Sequence, residues 1–248
     1  DSTGTGREIE TVAAKRVKHR KLAVADFRPS KNGLQFPNRF PGIPLPDALS
    51  KLIDTSRSVH GLCGGMCFTV IDYTRAKKVP PKAAKVPDKE TSLYEYLSKR
   101  QMASWGTMSS QILRYVQWMT YSDSKAQAES WESWQELKKN LDEGDLTVIG
   151  LIYTDFSESI RVWDNHQVLA YGYEVLEDDT IQIDLYDPNY PKDDTITLQV
   201  TPVKIKDGDT KTEQAVTCVQ MRGDKKIHDV HGFLIVPYEF TPPPDRLA

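Results

Sequence analysis

A cysteine, a histidine and an aspartate far apart in this chain are of the types that together make a thiolate nucleophile. They are Cys63 in Gly61-Leu62-Cys63-Gly64-Gly65-Met66, His166 in Asn165-His166-Gln167-Val168, and Asp187 in Tyr186-Asp187-Pro188. A thiol attacks a carbonyl as its thiolate, so such a site needs a base to take the proton and a local field that favours the anion. A carboxylate that fixes one imidazole nitrogen leaves the other free for the thiol proton. The thiolate–imidazolium pair so formed is suited to acyl transfer through a thioester.

Each of the three needs an element to hold it. The stretch from Ser58 to Tyr73 runs from a glycine-punctuated turn into apolar residues at helical spacing, Met66, Cys67, Val70 and Ile71. It predicts a buried central helix that starts at Cys63, with Gly64 and Gly65 leaving the first turn open to a substrate. The partial positive charge at a helix N-terminus favours thiolate at Cys63, whereas Cys67, one turn inside, is expected to pack as a small hydrophobe. The plainer reading makes Cys63 a packed thiol as well. His166 opens a strand-like run, His166 to Val175, and Asp187 closes the next, Ile181 to Tyr186. Paired through a tight turn near Glu177, the two strands would bring His166 and Asp187 to the same end of a sheet. Pro188 would stiffen the turn after the aspartate.

From Leu62 to Pro191 the order of these elements resembles the papain-like cysteine peptidase superfamily. The histidine and Asp-Pro phrases look most like the branch of bacteriocin-leader (double-glycine) peptidases and their relatives. The resemblance implies Cys63 as nucleophile, His166 as general base and acid, Asp187 as the residue that orients the ring, and the Cys63 amide as part of an oxyanion hole. Asn189 is the alternative orienting residue, since papain uses an asparagine there. The superfamily often places an oxyanion-hole glutamine about six residues before the nucleophile; this chain has Arg57, so Ser58, His60 or backbone alone would take that part. The run Cys63-Gly64-Gly65-Met66-Cys67-Phe68 also resembles papain's local signature, in which the later cysteine is the nucleophile. Cys63 is favoured because it follows Gly-Leu and starts the helix. Trp163 and Asn165 are expected at the rim of the cleft as substrate contacts.

The 248 residues are 39% apolar and 27% charged with a formal net charge of −3, values of an ordinary soluble globular protein that give no reason to expect nucleic-acid binding. No run of about 18 apolar residues offers a membrane span, and the N-terminal stretch lacks the apolar core of a signal peptide. Three cysteines do not make a disulfide framework. Localisation and oligomeric state are not encoded in any readable feature.

The expected architecture is α+β: a polar and basic leader over 1–22, then one papain-like domain over 23–248, with a helical lobe at about 45–142 and a β lobe at about 146–240. Residues 23–46, rich in proline and aromatics, are read as an extended, non-helical arm. A short capped helix is expected at 46–53, an exposed loop at 78–90, and helices at 92–104, 108–120 and 126–141, the last with Trp131, Trp134, Leu137 and Leu141 inward. Further strands are expected at 147–154, 195–200, 215–219 and 233–236. His228 and His231 are read as surface or satisfied core residues framing a short loop. The functional expectation is a cysteine peptidase or amide hydrolase acting on a peptide or amide substrate, with no cofactor. An inactive papain-like binding domain is the alternative. A zinc site from His60, Cys63, Cys67 and His166 is a third reading.

Overall fold

The computed structural model describes residues 16–40, 61–107, 110–153, 164–207 and 211–247. Alternating apolar residues in the second half of the chain form an antiparallel sheet: β1 (Val17–Leu22), β2 (Thr147–Ile152), β3 (His166–Leu176), β4 (Ile181–Tyr186), β5 (Ile196–Asp207), β6 (Lys211–Arg222), β7 (Lys225–Val230) and β8 (Gly232–Ile235). The order is β7-β6-β5-β4-β3-β2-β8. One edge of β3 takes β2 along residues 166–170 and β1 along residues 172–176.

Every residue of β2 is buried, so the sheet must be covered on both faces there. The side chains divide by parity: Val148, Ile152, Leu169 and Tyr171 join one apolar cluster, Ile149, Leu151, Val168 and Ala170 the other. The first cluster is completed by α2 (Cys63–Arg75), α3 (Ser92–Ser104) and α4 (Ser110–Met119), the second by Trp134, Leu137 and Leu141 of α5 (Asp123–Glu143). The α+β class is as expected, but the helices do not form one lobe facing a β lobe: α5 crosses to the other face. A helical stretch and the face it covers are set by which strand surface lacks a partner, which periodicity does not record.

Local sequence explains the helix ends. Thr91 and Ser122 cap α3 and α5 by accepting the amides of Tyr94 and Lys125. α5 stops at Gly144, which takes the left-handed conformation (φ 94°) while the Asp145 amide reaches back to the Asn140 carbonyl.

Four expectations are corrected. Residues 17–22, read as part of a mobile leader, form β1, anchored to the sheet by Arg20 on Glu174 and Asp184. The arm after it contains one helical turn, α1 (Pro29–Asn32), with proline at its start, where a missing amide costs nothing; its Phe27, Phe36 and Phe40 are core residues. The strands at 195–200 and 215–219 are halves of much longer ones, and β7 lies where a loop was expected. Its exposed lysines and Asp229 hide the strand pattern, as is usual at a sheet edge. The helix expected at 46–53 lies outside the described residues.

The site is carried by α2, and α2 is locked in place. Residues Gly64 to Tyr73 are all buried. At Gly65 a Cβ would lie 2.2 Å from the Leu97 carbonyl oxygen, so α2 and α3 touch backbone to backbone. At the other end Asp72, fully buried, accepts Arg100 Nε at 2.7 Å and Nη2 at 3.1 Å, together with the Tyr96 and Tyr238 hydroxyls and the Thr241 amide. Arg100 also donates to the Glu239 carbonyl, which pins the C-terminal segment across both helices. No described helix is long and apolar enough to cross a membrane.

Candidate active site

Cys63 is the first residue of α2, where the opening amides of a helix have no intrahelical acceptor. Its side chain is half-buried, while Cys67 and Cys218 are buried. Burial alone would raise the Cys63 thiol. A hydrogen bond and the positive charge of His166, with the Gln167 and Gly64 amides, outweigh burial and hold it below the ordinary thiol value. Cys67 is its opposite: burial, reinforced by negative charge at Cys63 and Asp187, pushes it well up, and its thiol points at the Gln167 carbonyl, 3.8 Å away.

His166 begins β3 and Asp187 directly follows β4, so the pairing of these strands puts both at one end of the sheet. His166 Nε2 lies 2.7 Å from Asp187 Oδ1. That bond leaves Nδ1 as the ring nitrogen for the Cys63 sulfur. Burial would lower the imidazole, but the Asp187 charge and hydrogen bond, with Cys63, raise it to about 10. Asp187 is only 1% exposed, and burial would raise it; the His166 charge and hydrogen bond, the Asn189 amide at 2.8 Å and Gln220 Nε2 at 2.7 Å hold it low. The lowered thiol and the raised imidazole both favour moving the Cys63 proton to His166, beside an ionised Asp187.

Cys63 and His166 line one cavity of about 390 Å³, with Gln101, Trp105, Tyr115, Tyr153 and His228 among its other walls, while Asp187 is buried behind the imidazole. The remaining expected residues are placed as follows. Gly64 gives its amide to the sulfur. Asn165 lines the cavity, but its Oδ1 accepts the Tyr153 amide and its Nδ2 donates to Met119 Sδ, so it braces the end of β2. Asn189 supports Asp187 through its backbone alone; its side chain accepts Asn38 Nδ2 at 3.4 Å and does not reach the ring. Arg57, Ser58, His60 and Trp163 lie outside the described residues. For a zinc site, no group of three or more His, Cys, Asp or Glu is arranged to hold a metal among the described residues.

Sequence reasoning missed a second layer. Gln220, fully buried on β6, links Asp187 to Tyr153, whose hydroxyl donates to Gln220 Oε1 at 2.6 Å. The Tyr153 ring stacks on His166 at 6.4 Å between centroids and meets His228 at 4.6 Å. Thus His228 borders the site, while His231 is satisfied by Tyr121 and Asp123. A signal existed for Gln220: it follows Val216 and Cys218 at period two, a polar residue where the alternation calls for an apolar one. Gln101 carries the same signal, lying at helical spacing from Leu93 and Leu97 on the buried stripe of α3. Comparison with protein-family models, with curated proteins and with solved structures finds no match to this chain.

Proposed function

We propose that this chain is a papain-like cysteine hydrolase that cleaves a peptide or other amide through a thioester on Cys63. The observation that carries the reading is the line of contacts from the half-buried Cys63 sulfur through His166 to a fully buried Asp187, at a helix N-terminus inside a cavity. In that reading the thiolate forms a bond to the carbonyl carbon and the carbonyl π pair moves onto oxygen. Collapse of this intermediate expels the amine, which leaves with the proton from His166. Water then attacks the thioester, giving a proton to the ring and releasing the acid, and the resting ion pair returns. Asp187 keeps the ring in the productive orientation and stabilises the imidazolium.

The test uses an activated acyl ester and intact-mass analysis. Wild-type protein should gain one acyl group on Cys63, lose it with time and turn over, and should also cleave members of a mixed peptide library. Cys63→Ala and His166→Ala should do neither. A folded wild-type protein that reacts with iodoacetamide at Cys63 yet never acylates would overturn the hydrolase reading in favour of a binding domain.

A further inference from the structure

Acyl transfer at Cys63 places a full negative charge on the former carbonyl oxygen, and a buried oxyanion needs donors aimed at it before it forms. Helix geometry accounts for part of the supply. Of the first amides of α2, that of Gly64 faces the Cys63 sulfur, that of Gly65 donates to Gln101 Oε1 at 2.8 Å, and that of Met66 is bonded to Leu62. The Cys63 amide, which has no acceptor among the described residues, is the backbone donor beside the reacting carbon.

The side-chain donors on the cavity wall are not equivalent. Asn165 Nδ2 is committed to Met119, Gln167 Nε2 to Ser104, and Asn38 Nδ2 to Asn189. Gln101 differs. Its amide orientation is fixed by chemistry, because the Gly65 N–H can be answered only by the oxygen; the Nε2 group therefore points away from that bond and has no acceptor among the described residues. Gln101 is 3% exposed and what it exposes lies in the cavity with Cys63. A primary amide that is buried, pinned by one atom and idle at the other is pre-organised to donate to an anion at no reorganisation cost.

Building on the hydrolase reading above, we propose that Gln101 is a catalytic residue whose Nε2 group, with the Cys63 amide, binds the oxyanion of the tetrahedral intermediate. The donor then comes from α3, after the nucleophile in the chain, and the backbone contact at Gly65 is what brings α3 close enough. Asn38 is the rival: its Oδ1 accepts the Leu62 amide at 2.7 Å on the other side of the α2 start, but its Nδ2 already has a carboxamide partner.

The test compares two reactions of Cys63 in the same protein at the same pH: acylation by an activated ester, which develops an oxyanion, and alkylation by iodoacetamide, which does not. Their ratio cancels any change in the thiolate fraction. Gln101→Glu keeps an oxygen for the Gly65 amide and loses the Nε2 donor, so the fold is retained, and Gln101→Leu is the second variant. Loss of one such donor is expected to lower the ratio about 10²- to 10³-fold in Gln101→Glu, with Asn38→Ala changing it less than about tenfold. An unchanged ratio, equal loss of both reactions, or a selective loss in Asn38→Ala instead overturns the assignment while wild-type acylation stands. Wild-type protein that alkylates but never acylates overturns the hydrolase reading, and this assignment with it.

Discussion

Asp187→Asn isolates the electrostatic role of the buried carboxylate, because the surrounding hydrogen bonds can all be remade. The carboxamide oxygen can keep the two bonds that Asp187 Oδ1 now makes, to His166 Nε2 and the Asn189 amide. The new NH₂ group would face Gln220 Nε2, donor against donor. If the Gln220 amide turns over, its oxygen accepts from that NH₂ group and its Nε2 donates to the Tyr153 oxygen, which accepts as readily as it donates. No buried polar group is then left unpaired, and the fold should hold. What is lost is the charge that raises His166 against burial, the largest of the favourable effects on it. A hydrogen bond to a charged group exceeds a neutral one by roughly 1–2 kcal/mol, so the ion pair should be about 5- to 30-fold less populated. That equals an upward move of roughly 1 pH unit in the inflection of Cys63 alkylation by iodoacetamide, read by peptide mass spectrometry. Cys67 and Cys218, both buried and raised, should not contribute. An identical inflection in the variant, with unchanged circular dichroism, would refute the coupling of Asp187 to the thiolate.

Gly65→Ala should destabilise by about 1–3 kcal/mol or more in urea unfolding, since the clash is with the Leu97 backbone and no side chain can give way; a neutral effect would mean that α2 and α3 separate easily. Arg100→Met leaves Asp72 buried without its charge partner, and a loss of roughly 3–5 kcal/mol is expected, with earlier proteolysis of the C-terminal segment; near-wild-type stability would show the pair to be dispensable. Acylation of Cys63 by a peptide or amide substrate should follow a bell-shaped pH profile. Its acid limb lies below the ordinary thiol value, because the thiolate is gained as pH rises through the lowered Cys63 pKa; its alkaline limb lies near 10, where His166 loses the proton needed by the leaving group. A single rise at an ordinary thiol pKa would argue against a resting ion pair.

The parts of the fold that could be read directly are those in which one residue type dictates one local geometry. Thr91 before a helical run, Gly144 after one, and the alternation in Ile181–Tyr186 each have a single economical solution, and α3 and β4 fall at their expected bounds. The start of α2 at Cys63 is legible for the same reason, from Gly61 and the apolar spacing that follows. The side of the sheet taken by α5 is not legible, because an amphipathic stripe says that a face is buried and not against what. β1 escapes the pattern because its basic side chains read as solvated, although two of its residues, Lys21 and Leu22, pair with Tyr173 and Gly172 in the middle of the sheet. Asp72 gives no warning, since its five donors come from α3 and from the distant C-terminal segment.

The placement of the candidate site follows from a conflict between burial and reactivity. A thiolate needs access to a substrate, and a carboxylate that raises a buried imidazole must itself be shielded from water, which would screen it. The chain meets both demands with a gradient: Cys63 half-buried at the cavity wall, His166 at 6% exposure behind it, Asp187 at 1%, and Gln220 at 0%. Each inner residue satisfies the one outside it, and Tyr153 closes the series at Gln220 while its ring runs roughly parallel to the imidazole, offset from it. Position along this series therefore decides what a substitution does. Near the cavity it should cost chemistry, as at Cys63; at Gln220 it strips Asp187 Oδ2 of its donor, so Gln220→Leu should weaken both the fold and the ion pair.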